Sequence, residues 1–440
     1  MKKTLLAALI IVNCFQLFSQ TKSKEEISKQ FLDDLKKSQY ESALKLCDTS
    51  FTNKMDAERL RQSWEGLEEQ LGDFKECIGM ETKSSGEYEA TFQAFKFVLG
   101  TFDFQLTFNS RNLIVGMFMV PHVSKNLYQL PAYVKQEMVF ETKLEVKTGK
   151  FVLPAILTTP KTGDKFPVVI LVHGSGPGDK DESVGPNKPF EDLAYGLANK
   201  GIAVLRYDKR THVYGAQSVE DINSFTVKEE VLDDVSSAIQ LVKGKQEIDT
   251  NNIYLIGHSL GGELAPRIAK LHPDLKGIVI MAGPARSSED ISLEQNIYLA
   301  KLEGNSQQTQ KELDTLKSTL NELKHNNFSD QKVKMFVKKS GLPESYWKDE
   351  NDYHQVDVAK SLNCKILVLQ GGTDFQVSMK DFDIWKGALS NKKNAEFHSC
   401  PKLNHLFMEG EGKTGTAEYD IPKNIPEYVV NDIAKWMKDN

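Results

Sequence analysis

One five-residue segment constrains this chain more than any other. Gly257-His-Ser-Leu-Gly261 follows the apolar run Ile253-Tyr-Leu-Ile256 and precedes a helix-like stretch from Gly262 to Leu271. In that strand–turn–helix setting, G-x-S-x-G is a sharp elbow that lifts a serine out of a sheet. The two glycines let the backbone fold back tightly, so the hydroxyl stands clear at the carboxyl end of the strands. The helix behind it aims free amides and its positive dipole end at the same spot. A Gly/Ser turn without chemistry is the competing reading, and the flanking strand and helix weigh against it.

Such an elbow needs a sheet. Short apolar runs at 168–172, 202–207, 253–256, 277–281, 365–370 and 395–399 alternate with helical stretches near 190–200, 227–242, 262–271, 382–389 and 429–438. Together with a strand-like segment at 151–158, they predict an α/β domain over 134–440, built on a mostly parallel doubly wound sheet. Residues 287–362 break the alternation. They are helix-prone and charged, with a short apolar face at Leu313, Leu316, Leu320 and Leu323, and read as a helical cap packed over the sheet edge.

A serine hydroxyl is a weak nucleophile and needs a base, which in turn needs an orienting acid. His405 follows the last predicted strand in a loop, whereas its rival His398 lies within that strand. Asp374 follows the preceding strand in Gln370-Gly-Gly-Thr-Asp374. Asp381 and Asp383 are rivals that fall on or near the next helix. The order Ser259, Asp374, His405 is that of α/β hydrolases rather than of chymotrypsin- or subtilisin-type proteases. An oxyanion needs preorganised donors. The Leu260 amide, next after the serine, is one expected donor. The other is the Ser175 amide in His173-Gly-Ser-Gly-Pro-Gly178, with Gly176 as second choice. His173 is expected to fix that loop, and His258 to pack or bond locally. The glycines lack the G-K-[ST] of a phosphate-binding loop.

Ahead of this domain, Ile27, Phe31 and Leu35 repeat at helical spacing, as do Leu60, Trp64, Leu67 and Leu71. Residues 101–108 then alternate like a half-buried strand, and 113–120 form another. Helices before an antiparallel sheet predict a small α+β domain over 21–120, with 121–133 as linker. Residues 1–20 combine Lys2, Lys3 and the apolar run 5–12, which has the length of a secretory signal core and falls short of a spanning helix. Lipid attachment at Cys14 is disfavoured, because Val12 and Asn13 precede it and cutting there would truncate the apolar core. Loss of Lys2 and Lys3 takes the net charge from −6 to −8, so no basic surface invites nucleic acid. No C-x-x-C or H-E-x-x-H occurs, and no metal or organic cofactor is expected.

With those motifs, and with Arg206-Tyr-Asp-Lys-Arg210 and Leu403-Asn-His-Leu-Phe407, the chain resembles secreted two-domain esterases of the α/β-hydrolase superfamily. Residues 24–120 are similar to their N-terminal DUF3887 domain, an NTF2-like module. The resemblance implies Ser259 as nucleophile, Asp374 as acid, His405 as base and a helical cap. Thr211 departs from it, since relatives usually carry glycine there. On this fold Cys364 and Cys400 would stand about 20 Å apart, too far for a disulfide, while a Cys47–Cys77 pair stays open.

The expected activity is hydrolysis of short to medium carboxylic esters through an acyl-enzyme. A peptidase or thioesterase on the same fold is the alternative, and a non-catalytic binding module ranks below both. The expected partner is a small-molecule ester. The expected location is periplasmic or extracellular, without stable membrane insertion after signal removal, and the oligomeric state is open, a homo-oligomer among the choices.

Overall fold

A computed structural model describes residues 22–71, 74–85, 88–97, 100–121, 128–302, 304, 306–412 and 415–439. The expected signal segment and residues 122–127 of the expected linker lie outside the described residues. The chain divides into two compact units after residue 122.

The first unit opens with α1 (Lys24–Lys36), started by a capping box in which Ser23 and Glu26 each accept from the other's amide. Helices α2 (Tyr40–Leu44), α3 (Thr49–Thr52) and α4 (Ala57–Leu71) follow. Strands β1 (Phe74–Ser85), β2 (Tyr88–Phe97), β3 (Gly100–Phe108) and β4 (Ile114–Pro121) then form an antiparallel sheet in sequence order. The helical stripes meet the inward face of the strands: Phe31, Leu35, Leu60 and Trp64 pack on Phe95, Phe104, Leu106 and Phe108. Phe95 and Phe104 stack at 4.9 Å between ring centroids. Strands β1 and β2 both escaped the sequence reading: β1 is an edge that shifts register at Cys77–Gly79 and exposes Ile78, and β2 buries the polar Thr91 and Gln93, so neither shows a clean apolar alternation.

The second unit carries an eight-stranded sheet. In chain order its elements are β5 (Val139–Thr148), β6 (Phe151–Pro160), β7 (Phe166–Val172), α5 (Pro189–Asn199), β8 (Ala203–Tyr207), α6 (Arg210–Tyr214), α7 (Asp233–Lys243), β9 (Ile248–His258), α8 (Leu260–Leu271) and β10 (Gly277–Met281). Five helices follow: α9 (Ser288–Leu302), α10 (Gln307–Lys324), α11 (Gln331–Ser340), α12 (Glu344–Asn351) and α13 (Gln355–Ser361). Then come β11 (Lys365–Gly371), α14 (Met379–Leu389), β12 (Ala395–Cys400) and α15 (Glu427–Lys438).

The strand order is β12-β11-β10-β9-β7-β8-β6-β5. Strands β7 to β12 run parallel, while β5 and β6 form an antiparallel edge hairpin. The mostly parallel doubly wound sheet expected from the sequence is therefore present. Its edge strand β5 is polar and largely exposed, and carries no signal of its own.

Two cores lie on the two faces. Leu255 and Ile280 join α7, α8 and α14 on one; Tyr254 and Ile256 join α5 and α15 on the other. The inserted helices divide. Leu320, Leu323 and Val333 make a small core of their own, whereas Tyr346, Tyr353 and Ala359 join the core over α8. The end of the insert thus packs on a sheet face rather than over the edge.

Strand β7 has β8 on one side and β9 on the other, so the connections leaving β7 and β9 run in opposite directions along the sheet. That switch point opens a crevice at the carboxyl ends of the strands. Cys47, Cys77, Cys364 and Cys400 are all free thiols. Among the described residues, no helix is long and apolar enough to cross a membrane.

Ile256 is fully buried near the carboxyl end of β9. Ile256→Ala should destabilise the second unit by about 2–5 kcal/mol, the usual cost of an aliphatic cavity. A urea-derived loss of unfolding free energy below about 1 kcal/mol would contradict this packing.

Candidate active site

Ser259 sits between the last residue of β9 and the first of α8, at φ +53° and ψ −118°. That is a strained conformation for a residue with a side chain. It is held on both sides: the Ser259 amide donates to the Met281 carbonyl (2.9 Å), and the Ser259 carbonyl accepts from the Glu263 amide (2.9 Å). The neighbouring glycines are required by space. A Cβ on Gly257 would stand 2.0 Å from the Gly261 carbonyl oxygen, and one on Gly261 would stand 2.2 Å from that of Val172. The elbow is thus pressed against the end of β7.

Asp374 and His405 meet beside it. Thr373 donates from its amide to the Leu403 carbonyl (3.0 Å), tying the loop after β11 to the loop after β12. His405 Nδ1 donates to Asp374 Oδ2 at 2.8 Å, with the Asp374 side chain fully buried. Asp374 Oδ1 accepts from the amides of Gln376 (2.8 Å) and Val377 (2.9 Å), and Oδ2 also accepts from Gln370 Nε2 (3.0 Å). Four donors leave the carboxylate little freedom to turn. Because Nδ1 carries the proton, Nε2 is the face of His405 that can accept one.

The glycine-rich loop after β7 closes the site. A Cβ at Gly174 would lie 3.7 Å from Ser259 Oγ, which measures how close this loop comes. His173 is buried and donates from Nε2 to the Asp179 carbonyl (2.8 Å), fixing the loop as expected. Burial lowers its pKa to about 4, so the ring is neutral. Among the described residues, neither the Leu260 nor the Ser175 amide donates to a protein acceptor. The Gly174 amide, by contrast, is taken by Glu182 Oε1 (2.7 Å).

Glu182 is the residue that sequence reasoning missed. Its other oxygen lies 3.0 Å from Nδ1 of His258, and His258 Nε2 donates to the His405 carbonyl (2.8 Å). The rings of His258 and His405 lie 4.7 Å apart. His258 was expected to pack or bond locally; it is buried, and beyond packing it joins the Ser259 and His405 loops, to which Glu182 adds the loop after β7. Burial opposes charge on both members, but each outweighs it in the other. Glu182, with the His405 carbonyl and Asp374, raises the pKa of His258. His258 lowers that of Glu182. Only a backbone cue marks Glu182: it holds φ +50° in what reads as a solvated charge run.

The rivals lie elsewhere. Asp381 accepts from the Ala285 amide and pairs with Arg286, Asp383 is exposed, and His398 stands half-exposed beside Glu396 and Asp432. At Thr211, where the resemblance left the loop shape open, the chain forms α6.

Residues 28–117 match the DUF3887 family, described as a protein of unknown function, and residues 163–336 match a family described as serine aminopeptidase, S33. Esterase EstD of Thermotoga maritima is 36% identical over 407 residues, covering 92% of this chain and 93% of its own. Among solved structures, an esterase of Pyrococcus furiosus aligns at 15% identity over 72% of this chain and 98% of its own, with a TM-score of 0.43. Est1E of Butyrivibrio proteoclasticus with bound ferulic acid aligns at 16% identity over 66% and 99%, with a TM-score of 0.41.

The buried pair sets a pH signature. His258, raised above its ordinary 6.5, contributes stability that is complete below that value and lost as pH climbs through its folded pKa. Glu182, held below its ordinary 4.5, contributes stability present above that value and lost on acidification. The advantage of wild type over Glu182→Gln in thermal melts should therefore peak between these ordinary values and shrink toward alkaline pH. An advantage that stays flat from mildly acidic to alkaline buffer would rule out an ionised pair.

Proposed function

The chain belongs to the α/β hydrolases that join an N-terminal DUF3887 domain to an S33-type hydrolase domain, and from that premise we propose that it is an exported serine hydrolase of short to medium carboxylic esters. The single observation that carries the reading is the buried Asp374–His405 pair beside the strained Ser259 elbow. His405 Nε2 takes the proton of Ser259 Oγ as that oxygen attacks the ester carbonyl. The carbonyl oxygen gains the charge and is met by the Leu260 and Ser175 amides, which are free to donate. His405 then passes its proton to the leaving alcohol, giving an acyl-Ser259 ester. Water, deprotonated by the same nitrogen, releases the acid. Asp374 holds the imidazole in the tautomer with its proton on Nδ1 and steadies the imidazolium. The relative named an esterase supports the ester over the peptide bond.

The test uses p-nitrophenyl esters from acetate to palmitate, with aminoacyl p-nitroanilides and an acyl thioester as rival substrates. Ser259→Ala should cost at least about 10⁴-fold in kcat, and Asp374→Asn about as much, because the neutral amide favours the wrong imidazole tautomer. An alkyl fluorophosphonate should label Ser259 and no other residue by peptide mass spectrometry. Faster turnover of the anilides or the thioester would move the assignment to that class. Label on a different residue, or full activity in folded Ser259→Ala, would remove the mechanism.

A further inference from the structure

The segment Arg206-Tyr-Asp-Lys-Arg210 takes no part in the proton transfers, yet its lysine is buried against the oxyanion loop. Lys209, only 3% exposed, follows β8. Its Nζ donates to the Gly174 carbonyl at 2.8 Å, and its own amide donates to the Gly178 carbonyl at 2.9 Å. One residue thus clasps both ends of the glycine-rich loop. The ammonium is balanced by Glu230 Oε1 at 2.6 Å, and Glu230 Oε2 accepts from the Tyr346 hydroxyl at 2.6 Å. Glu230 and Tyr346 are each 5% exposed. Glu230 sits in a π-helical turn, Lys228–Leu232, a local irregularity common at functional positions. Tyr346 belongs to α12 of the inserted helices.

The Gly174 carbonyl and the Ser175 N–H belong to one planar peptide and point in opposite directions. Whatever fixes the carbonyl fixes the N–H, and a cation on the oxygen draws electrons from the amide and strengthens it as a donor. From this geometry we infer that Lys209 is a positioning residue that aims and polarises the Ser175 amide toward the oxyanion, and that Glu230 and Tyr346 anchor it to the inserted helices. The inference rests on the oxyanion role given to Ser175 under the proposed function. The role is distinct from substrate binding: Lys209 acts when charge develops on the carbonyl oxygen and does little for the bound ester.

Lys209→Met keeps the aliphatic stem and removes the charge, but leaves Glu230 buried without its partner. Lys209→Met/Glu230→Gln removes both charges and guards against a merely unfolded variant. Two inhibitors separate the stages. Trifluoromethyl hexyl ketone accepts Ser259 Oγ at its carbonyl carbon, its oxygen becoming the oxyanion and the proton passing to His405; methyl hexyl ketone binds without appreciable addition. In both variants kcat/KM for p-nitrophenyl hexanoate should fall about 10- to 100-fold. The Ki of the trifluoromethyl ketone should rise by the same factor, and that of the methyl ketone should stay within about threefold. Tyr346→Phe should show the same pattern, weaker. A double variant with wild-type kcat/KM, or a trifluoromethyl ketone Ki that does not follow the loss, would overturn the role. Ser259→Ala is assayed in parallel. If it turns over like wild type, the hydrolase reading fails first and carries this inference with it, which is distinguishable from failure at Lys209 alone.

Discussion

The backbone contact between β7 and the first turn of α8 governs the rest of the second unit. Gly261 comes so near the Val172 carbonyl that only a hydrogen fits between them. That closeness pins the Ser259 elbow to the strand whose following loop carries the candidate oxyanion donor. The apolar sheet makes the contact affordable: Val168 to Val172 and Ile253 to Ile256 are buried on both faces, so neither strand can drift to relieve the strain at Ser259. The parallel register then brings the loops after β11 and β12 to the same end, where Thr373 and Leu403 join them.

Much of this was legible because it follows from patterns that chemistry imposes. The elbow glycines, the five buried parallel strands β7 to β11 and the loop positions of Asp374 and His405 each have a local reason that survives in the sequence. What was missed has no local signature. Strands β1 and β5 are exposed edges, so burial leaves no alternation to read. Glu182 stands in Asp179-Lys-Asp-Glu-Ser183, which looks like a solvated run, and nothing in its neighbours announces a partner 76 positions away. The packing of α12 and α13 on the sheet face depends on Tyr346 and Tyr353 reaching Glu230 and the Glu263 carbonyl, contacts that only the folded chain assembles.

Buried ion pairs cluster on one side of the site. Arg206 holds Asp181, Lys209 holds Glu230, Arg210 holds Asp234, and His258 holds Glu182. Pairs like these contribute little net stability, because the desolvation of two charges offsets most of their attraction. The two that grip the glycine-rich loop, Lys209–Glu230 and His258–Glu182, therefore call for a reason other than stability.

The loop itself supplies that reason. Gly174 to Gly178 offers almost no side chain to pack, so van der Waals contact cannot fix its peptides. Its backbone amides and carbonyls are the only handles, and a buried handle must be gripped by a hydrogen-bonding side chain. The Gly174 residue is gripped at both: Glu182 takes its amide and Lys209 its carbonyl. Charged groups grip more firmly than neutral ones, but each buried charge then demands a counter-charge. His258 answers Glu182, and Glu230 answers Lys209. The counter-charges in turn reach the loop after β12 through the His405 carbonyl and the inserted helices through Tyr346. A side-chain-poor loop that comes this close to Ser259 thus requires charged groups in the interior around it, and that requirement explains why Lys209 lies buried.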